Sequence, residues 1–122
     1  MSQKIAVVGA GFIGRSWAMV FAKAGHHVSL YDIDPAALSE TMNLLEINLA
    51  DLESNGLISS KDDLLGRIQP YKTLEGAVEE AEWVQENALE NVQIKRELFS
   101  VLDELLPETT ILASSTSAIS LS

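Results

Sequence analysis

The sequence predicts an α/β fold, a doubly wound and mostly parallel sheet with helices on both faces. Three observations carry that prediction. Short apolar runs of strand length alternate with segments of helical period along the 122 residues. The first run closes on a glycine-rich turn that opens straight into a helical pattern, and the second ends on an acid. The length suits a single hydrophobic core, so residues 1–122 are read as one domain. Alternation of strand and helix calls for right-handed crossovers and parallel pairing, with an expected strand order of 3-2-1-4-5.

Each element has its own signal. Ile5-Ala6-Val7-Val8 is a continuous apolar run, as expected of a strand buried on both faces. From about Ile13 to Ala24 the apolar spacing becomes helical, and Gly25 stands where such a helix would stop. Val28-Ser29-Leu30-Tyr31 reads as a second strand ending at Asp32. Asp34-Pro35 is a helix start, with Asp as N-cap and Pro at the first helical position. Leu38, Met42, Leu45 and Leu49 carry that helix toward Ser54-Asn55-Gly56. Asp62 to Leu65 is expected to be a short helix, and Ile68-Gln69-Pro70-Tyr71 an edge strand, because proline has no N–H for a central ladder. A short helix over Leu74 to Ala81, a strand at Trp83 to Glu86, an amphipathic helix from Val92 to Leu105 and a strand from Thr110 to Ala113 complete the pattern.

Composition excludes several classes. The chain is 47% hydrophobic and 21% charged, as in ordinary globular domains rather than disordered ones. No run approaches the roughly 18 apolar residues of a membrane span. A formal charge of −10 argues against nucleic acid as a partner. The absence of cysteine removes disulfides, thiolate catalysis and cysteine-based zinc sites. No secretory signal pattern opens the chain, and the expected location is the cytoplasm. The charges are also uneven: residues 1–31 hold Lys4, Arg15 and Lys23 but no acid, and all 18 acids lie from Asp32 onward. A segment that approaches an anionic ligand is expected to lack carboxylates, although a buried strand and helix would show the same pattern.

Gly9-Ala10-Gly11-Phe12-Ile13-Gly14 has the G-x-G-x-x-G spacing between a strand and a helix. Its glycines serve a tight turn, close backbone approach to a pyrophosphate, and tight helix–strand packing. The helix N-terminus presents N–H groups and partial positive charge to phosphates. Asp32 follows at the distance expected for an acid that accepts hydrogen bonds from the adenosine ribose and repels a 2′-phosphate. No Arg or Lys follows Asp32 until Lys61, so NAD is expected rather than NADP. The other candidates are weaker. His26-His27 sits at the opposite end of the strand and points to two faces, so no metal site is expected there. The acids from Glu75 to Glu86 read as a solvated face.

The segment Gly9-Ala10-Gly11-Phe12-Ile13-Gly14-Arg15-Ser16-Trp17-Ala18-Met19, continuing to Leu30-Tyr31-Asp32, resembles the N-terminal domain of the 3-hydroxyacyl-CoA dehydrogenase superfamily, nearest its lambda-crystallin and L-gulonate 3-dehydrogenase branch. Two further blocks carry the resemblance, Val84 to Lys95 and Ser114-Ser115-Thr116-Ser117. It implies that Phe12 and Ile13 lie over the pyrophosphate, that Glu90 and Lys95 line the nicotinamide end, and that Ser117 is the catalytic serine touching the substrate hydroxyl. A carboxylate near a helix start is also favoured by the dipole alone, a lysine five residues on need not share its face, and a serine after a strand also suits a plain turn. Acyl-CoA dehydrogenases of this group usually begin the serine triplet with asparagine. Ser115 departs from that pattern, as in the lambda-crystallin-like and carnitine enzymes.

The resemblance therefore implies an NAD-dependent oxidoreductase acting on the 3-hydroxyl of a small hydroxy acid, L-gulonate- or carnitine-like. A short-chain 3-hydroxyacyl-CoA substrate and a non-catalytic NAD-binding or structural module are the alternatives. The family's catalytic histidine and its helical dimerisation domain fall beyond Ser122. The expectation is a domain that binds NAD without turnover, from a longer homodimeric parent.

Overall fold

The structure, a computed structural model, describes residues 3–87 and 92–114. Lys4–Val8 forms β1, Phe12–Lys23 α1, His27–Tyr31 β2 and Pro35–Ser54 α2. Lys61–Gly66 forms α3, Ile68–Pro70 β3, Leu74–Val78 α4, Trp83–Glu86 β4, Val92–Leu105 α5 and Ile111–Ser114 β5. The strands make one parallel sheet in the order β3-β2-β1-β4-β5, the order expected from the sequence.

Alternate residues of β1 divide the core between two faces. Ile5 and Val7 pack with Ala18 and Ala22 of α1, Leu38, Leu45 and Leu49 of α2, and Leu64 of α3. Ala6 and Val8 face the other way, toward Val78 of α4, Val84 of β4 and Leu102 of α5. A strand buried on both sides must be apolar throughout, which is why residues 5–8 show no alternation. Gly25 ends the α1 segment at φ 96, a backbone conformation that suits glycine.

Among the boundaries that differ from the sequence expectation, two have a clear local cause. Helix α4 ends at Val78 rather than Ala81, because Glu80 takes φ 61 and Ala81 N–H returns to Val78 O at 3.0 Å, turning the chain into β4. β5 begins one residue late, since Thr110 N–H closes a turn onto Pro107 O at 3.0 Å before the ladder starts.

The start of α2 follows its sequence signal. Asp34 Oδ1 accepts from Ala36 N–H at 3.0 Å, with Pro35 beside it in the first turn. Asp34→Ala is expected to cost about 1 kcal/mol and a few degrees of melting temperature. An unchanged thermal melt would show that the cap contributes nothing.

Candidate cofactor site

The register places the site. Val8 pairs with Tyr31 on one side and with Glu86 on the other, and Glu86 pairs with Ser114. The C-terminal ends of β2, β1, β4 and β5 therefore lie level, which is the edge where open α/β sheets bind ligands. Gly9 leaves β1 at φ 98, and its N–H donates to Tyr31 O at 2.8 Å. His27 opens β2 at the far end, and His26 Nδ1 accepts from Gln3 N–H at 3.1 Å.

The glycines of the turn differ in what their neighbours require. A Cβ on Gly14 would stand 1.8 Å from Gly9 O, so α1 can lie against the turn only if residue 14 has no side chain. Gly11 is the reverse: nothing lies within 4 Å of a Cβ built there, and its φ of −70 suits any residue. The space beside Gly11 is left open by the protein itself. Gly11 also caps α1 without a side-chain hydrogen bond, and no acid occupies the first turn. By contrast α2, α3 and α4 are capped by Asp34, Ser60 and Thr73. An uncapped N-terminus beside open space fits a pyrophosphate, whose oxygens would take the free N–H groups. Gly11→Ala is expected to leave the melting temperature unchanged while weakening NADH binding about tenfold, read by fluorescence titration. Equal affinity would mean that no ligand approaches that backbone.

Asp32 follows β2 directly and faces the turn. Its Oδ2 accepts from Ala10 N–H at 2.7 Å, and its Oδ1 accepts from Asp34 N–H at 2.8 Å. An ionised carboxylate offers about four lone-pair sites, so acceptor capacity remains for ribose hydroxyls. The bond to Ala10 had no sequence signal; it makes Asp32 a clamp on the turn as well as a ribose candidate. Phe12 and Ile13 stand at the start of α1, 72% and 53% exposed, with the Arg15 guanidinium 5.4 Å from the Phe12 ring centroid. Lys95 lies in the first turn of α5. The roles expected of Glu90, Ser117 and the Lys95 side chain lie outside the described residues.

Three residues at the site escaped the sequence reading. Thr41, buried on α2, donates through Oγ1 to Ala10 O and ties that helix to the turn. Its signal was a polar residue on an otherwise apolar helix face. Asn87 donates its backbone N–H to Val8 O at 2.8 Å, and its Nδ2 lies 3.3 Å from Gln85 O, 3.4 Å from Val8 O and 3.5 Å from Gly9 O. Glu86 corrects an expectation: Glu75, Glu79, Glu80 and Glu82 are exposed, but Glu86 is 0% exposed and not part of a solvated face. Its Oε1 accepts from Ser114 Oγ at 2.8 Å.

A doubly wound sheet with an open glycine turn and a facing acid defines a dinucleotide-binding α/β domain. Comparison with known proteins narrows the class. Residues 4–122 match the family model described as 3-hydroxyacyl-CoA dehydrogenase, NAD binding domain, and the chain belongs to that family. It is 41% identical over 118 residues to the lambda-crystallin homolog of Bos taurus, covering 94% of this chain and 37% of the relative. It is 37% identical over 115 residues to L-carnitine dehydrogenase of Streptomyces griseus, covering 94% and 34%. The crystal structure of 3-hydroxybutyryl-CoA dehydrogenase from Escherichia coli K12 superposes with a TM-score of 0.91 at 33% identity, covering 98% of this chain and 25% of that one. The chain thus spans little more than a third of the curated relatives' length. NAD is the cofactor of the family. No helix among the described residues is long and apolar enough to cross a membrane.

Proposed function

We propose that this chain is the NAD(H)-binding part of an oxidoreductase acting on the 3-hydroxyl of a small free hydroxy acid, of the gulonate or carnitine kind. The open backbone at Gly11, in the turn that Asp32 holds through Ala10 N–H, carries the cofactor half of the reading. The substrate half is supported by the Ser115-Thr116-Ser117 triplet and by the name of the Streptomyces relative, L-carnitine dehydrogenase.

Bound NAD supplies the hydride acceptor for oxidation of the carbinol carbon. The N–H groups opening α1 hold the pyrophosphate, Phe12 and Ile13 cover it, and Asp32 accepts from the ribose hydroxyls. Glu90 and Lys95 line the nicotinamide end, and Ser117 orients the substrate hydroxyl. The base that takes the hydroxyl proton is a histidine downstream of the serine block, oriented by a glutamate, and a separate helical unit completes the cleft and forms a homodimer. On this reading the protein works in the cytoplasm, and the 122-residue chain binds NAD but does not turn over. Turnover by the chain alone would overturn that division of labour.

Discrimination between cofactors tests Asp32. NADH is expected to bind about tenfold or more tightly than NADPH, because the carboxylate repels a 2′-phosphate. Equal affinities would remove Asp32 from the ribose site. A second substrate reading, a short-chain 3-hydroxyacyl-CoA, is favoured by the superposition on the Escherichia coli enzyme. Assays of a protein carrying this domain and its downstream unit, on L-gulonate and L-carnitine against 3-hydroxybutyryl-CoA, separate the two. Faster turnover of the thioester would overturn the free-acid reading, and no turnover of any of them would favour a non-catalytic module.

A further inference from the structure

A dinucleotide on this edge has one direction in which to lie. Asp32 follows β2, the glycine turn follows β1, and the sheet continues through β4 to β5 on the side away from β2. A ligand with its adenosine ribose at Asp32 and its phosphates at α1 carries its other half over the ends of β4 and β5. Those ends are Glu86 and Ser114, which are register partners.

Burying a carboxylate is costly, and the group persists only where hydrogen bonds hold it. Val8 ends the neighbouring strand β1 with an apolar side chain, so this level of the sheet does not itself demand an acid. The backbone ladder already joins β4 to β5 as far as these residues. The Ser114–Glu86 hydrogen bond adds rigidity where that ladder reaches the ligand edge. From there one segment leads to Glu90 and Lys95, the other to Ser117.

We propose that Glu86 is a positioning residue for the nicotinamide half of the cofactor. Through Ser114 it fixes the ends of β4 and β5, over which that half would lie, against each other. The proposal rests on the NAD-binding reading above.

The test titrates the 122-residue chain with NADH and, separately, with ADP, which lacks the nicotinamide riboside. Wild type is expected to bind both. Glu86→Gln and Ser114→Ala are expected to weaken NADH about tenfold while ADP affinity stays within about twofold, the loss expected when a hydrogen bond to a charged group is removed. A purely structural role would weaken both ligands together, so equal losses overturn the proposal, as does no loss of either. Retained ADP binding also reports that a variant is folded, and Ser114→Ala carries the test if Glu86→Gln does not fold. Failure of the wild type to bind NADH would overturn the cofactor reading and this proposal with it. Wild-type binding with unchanged variants overturns only the role of Glu86.

Discussion

Gly14→Ala is expected to cost the domain about 3 kcal/mol of stability, the upper range for an overpacked site. The added carbon would stand 1.8 Å from Gly9 O and 2.9 Å from Gly9 C, both backbone atoms that cannot rotate away. Relief requires α1 to move off the turn, and α1 carries Ala18 and Ala22 into the core. A domain of this size has roughly 5–15 kcal/mol in total, so the melting temperature should fall by about 10 °C. NADH binding should fall with it, since the same shift separates the helix N-terminus from Gly9. Thermal denaturation followed by circular dichroism checks this. A melt within about two degrees of wild type would mean that the turn yields more easily than its geometry implies.

Asp32→Ala is expected to weaken NADH binding by about 10- to 100-fold. Two losses combine there. The ribose acceptor disappears, and Ala10 N–H and Asp34 N–H lose the carboxylate that holds them at 2.7 and 2.8 Å. Stability should fall as well, by roughly 1–3 kcal/mol, because donors at a partly buried site lose their partner. Discrimination against NADPH should shrink in the same variant, since the repelling charge is gone. Titration of both cofactors reads the effect, and unchanged NADH affinity would show that Asp32 is not a ribose ligand. Asp32→Asn separates the contributions: it retains an acceptor but loses the charge.

Much of this arrangement was legible in the residues. Parallel pairing followed from alternation, and the strand order from the nucleotide-binding pattern of the glycine turn and Asp32. Gly9, Gly14 and Asp32 were legible because their spacing is imposed by the geometry of one strand, one turn and one helix. What was missed depends on contacts between distant segments. Thr41 is polar on a buried helix face, and only its bond to Ala10 O, 31 residues away, accounts for it. Glu86 looked like one more acid in an acidic stretch, and inside the fold it accepts from a hydroxyl 28 residues away. The early end of α4 depended on a positive φ at Glu80, a residue type with no preference for that conformation.

The pairing of β1 has a consequence for how the two ends of the cleft are assembled. Ile5 pairs with Val28 on one side and with Trp83, roughly three times as far along the chain, on the other. Closing the longer loop costs about 1 kcal/mol more chain entropy. The adenosine and phosphate end is therefore a short-range product of one βαβ unit, complete once Asp32 is in place. The nicotinamide end depends on long-range pairing, and local opening of β4 and β5 would dismantle it while leaving the β1–β2 pairing and the Asp32 bond to Ala10 in place.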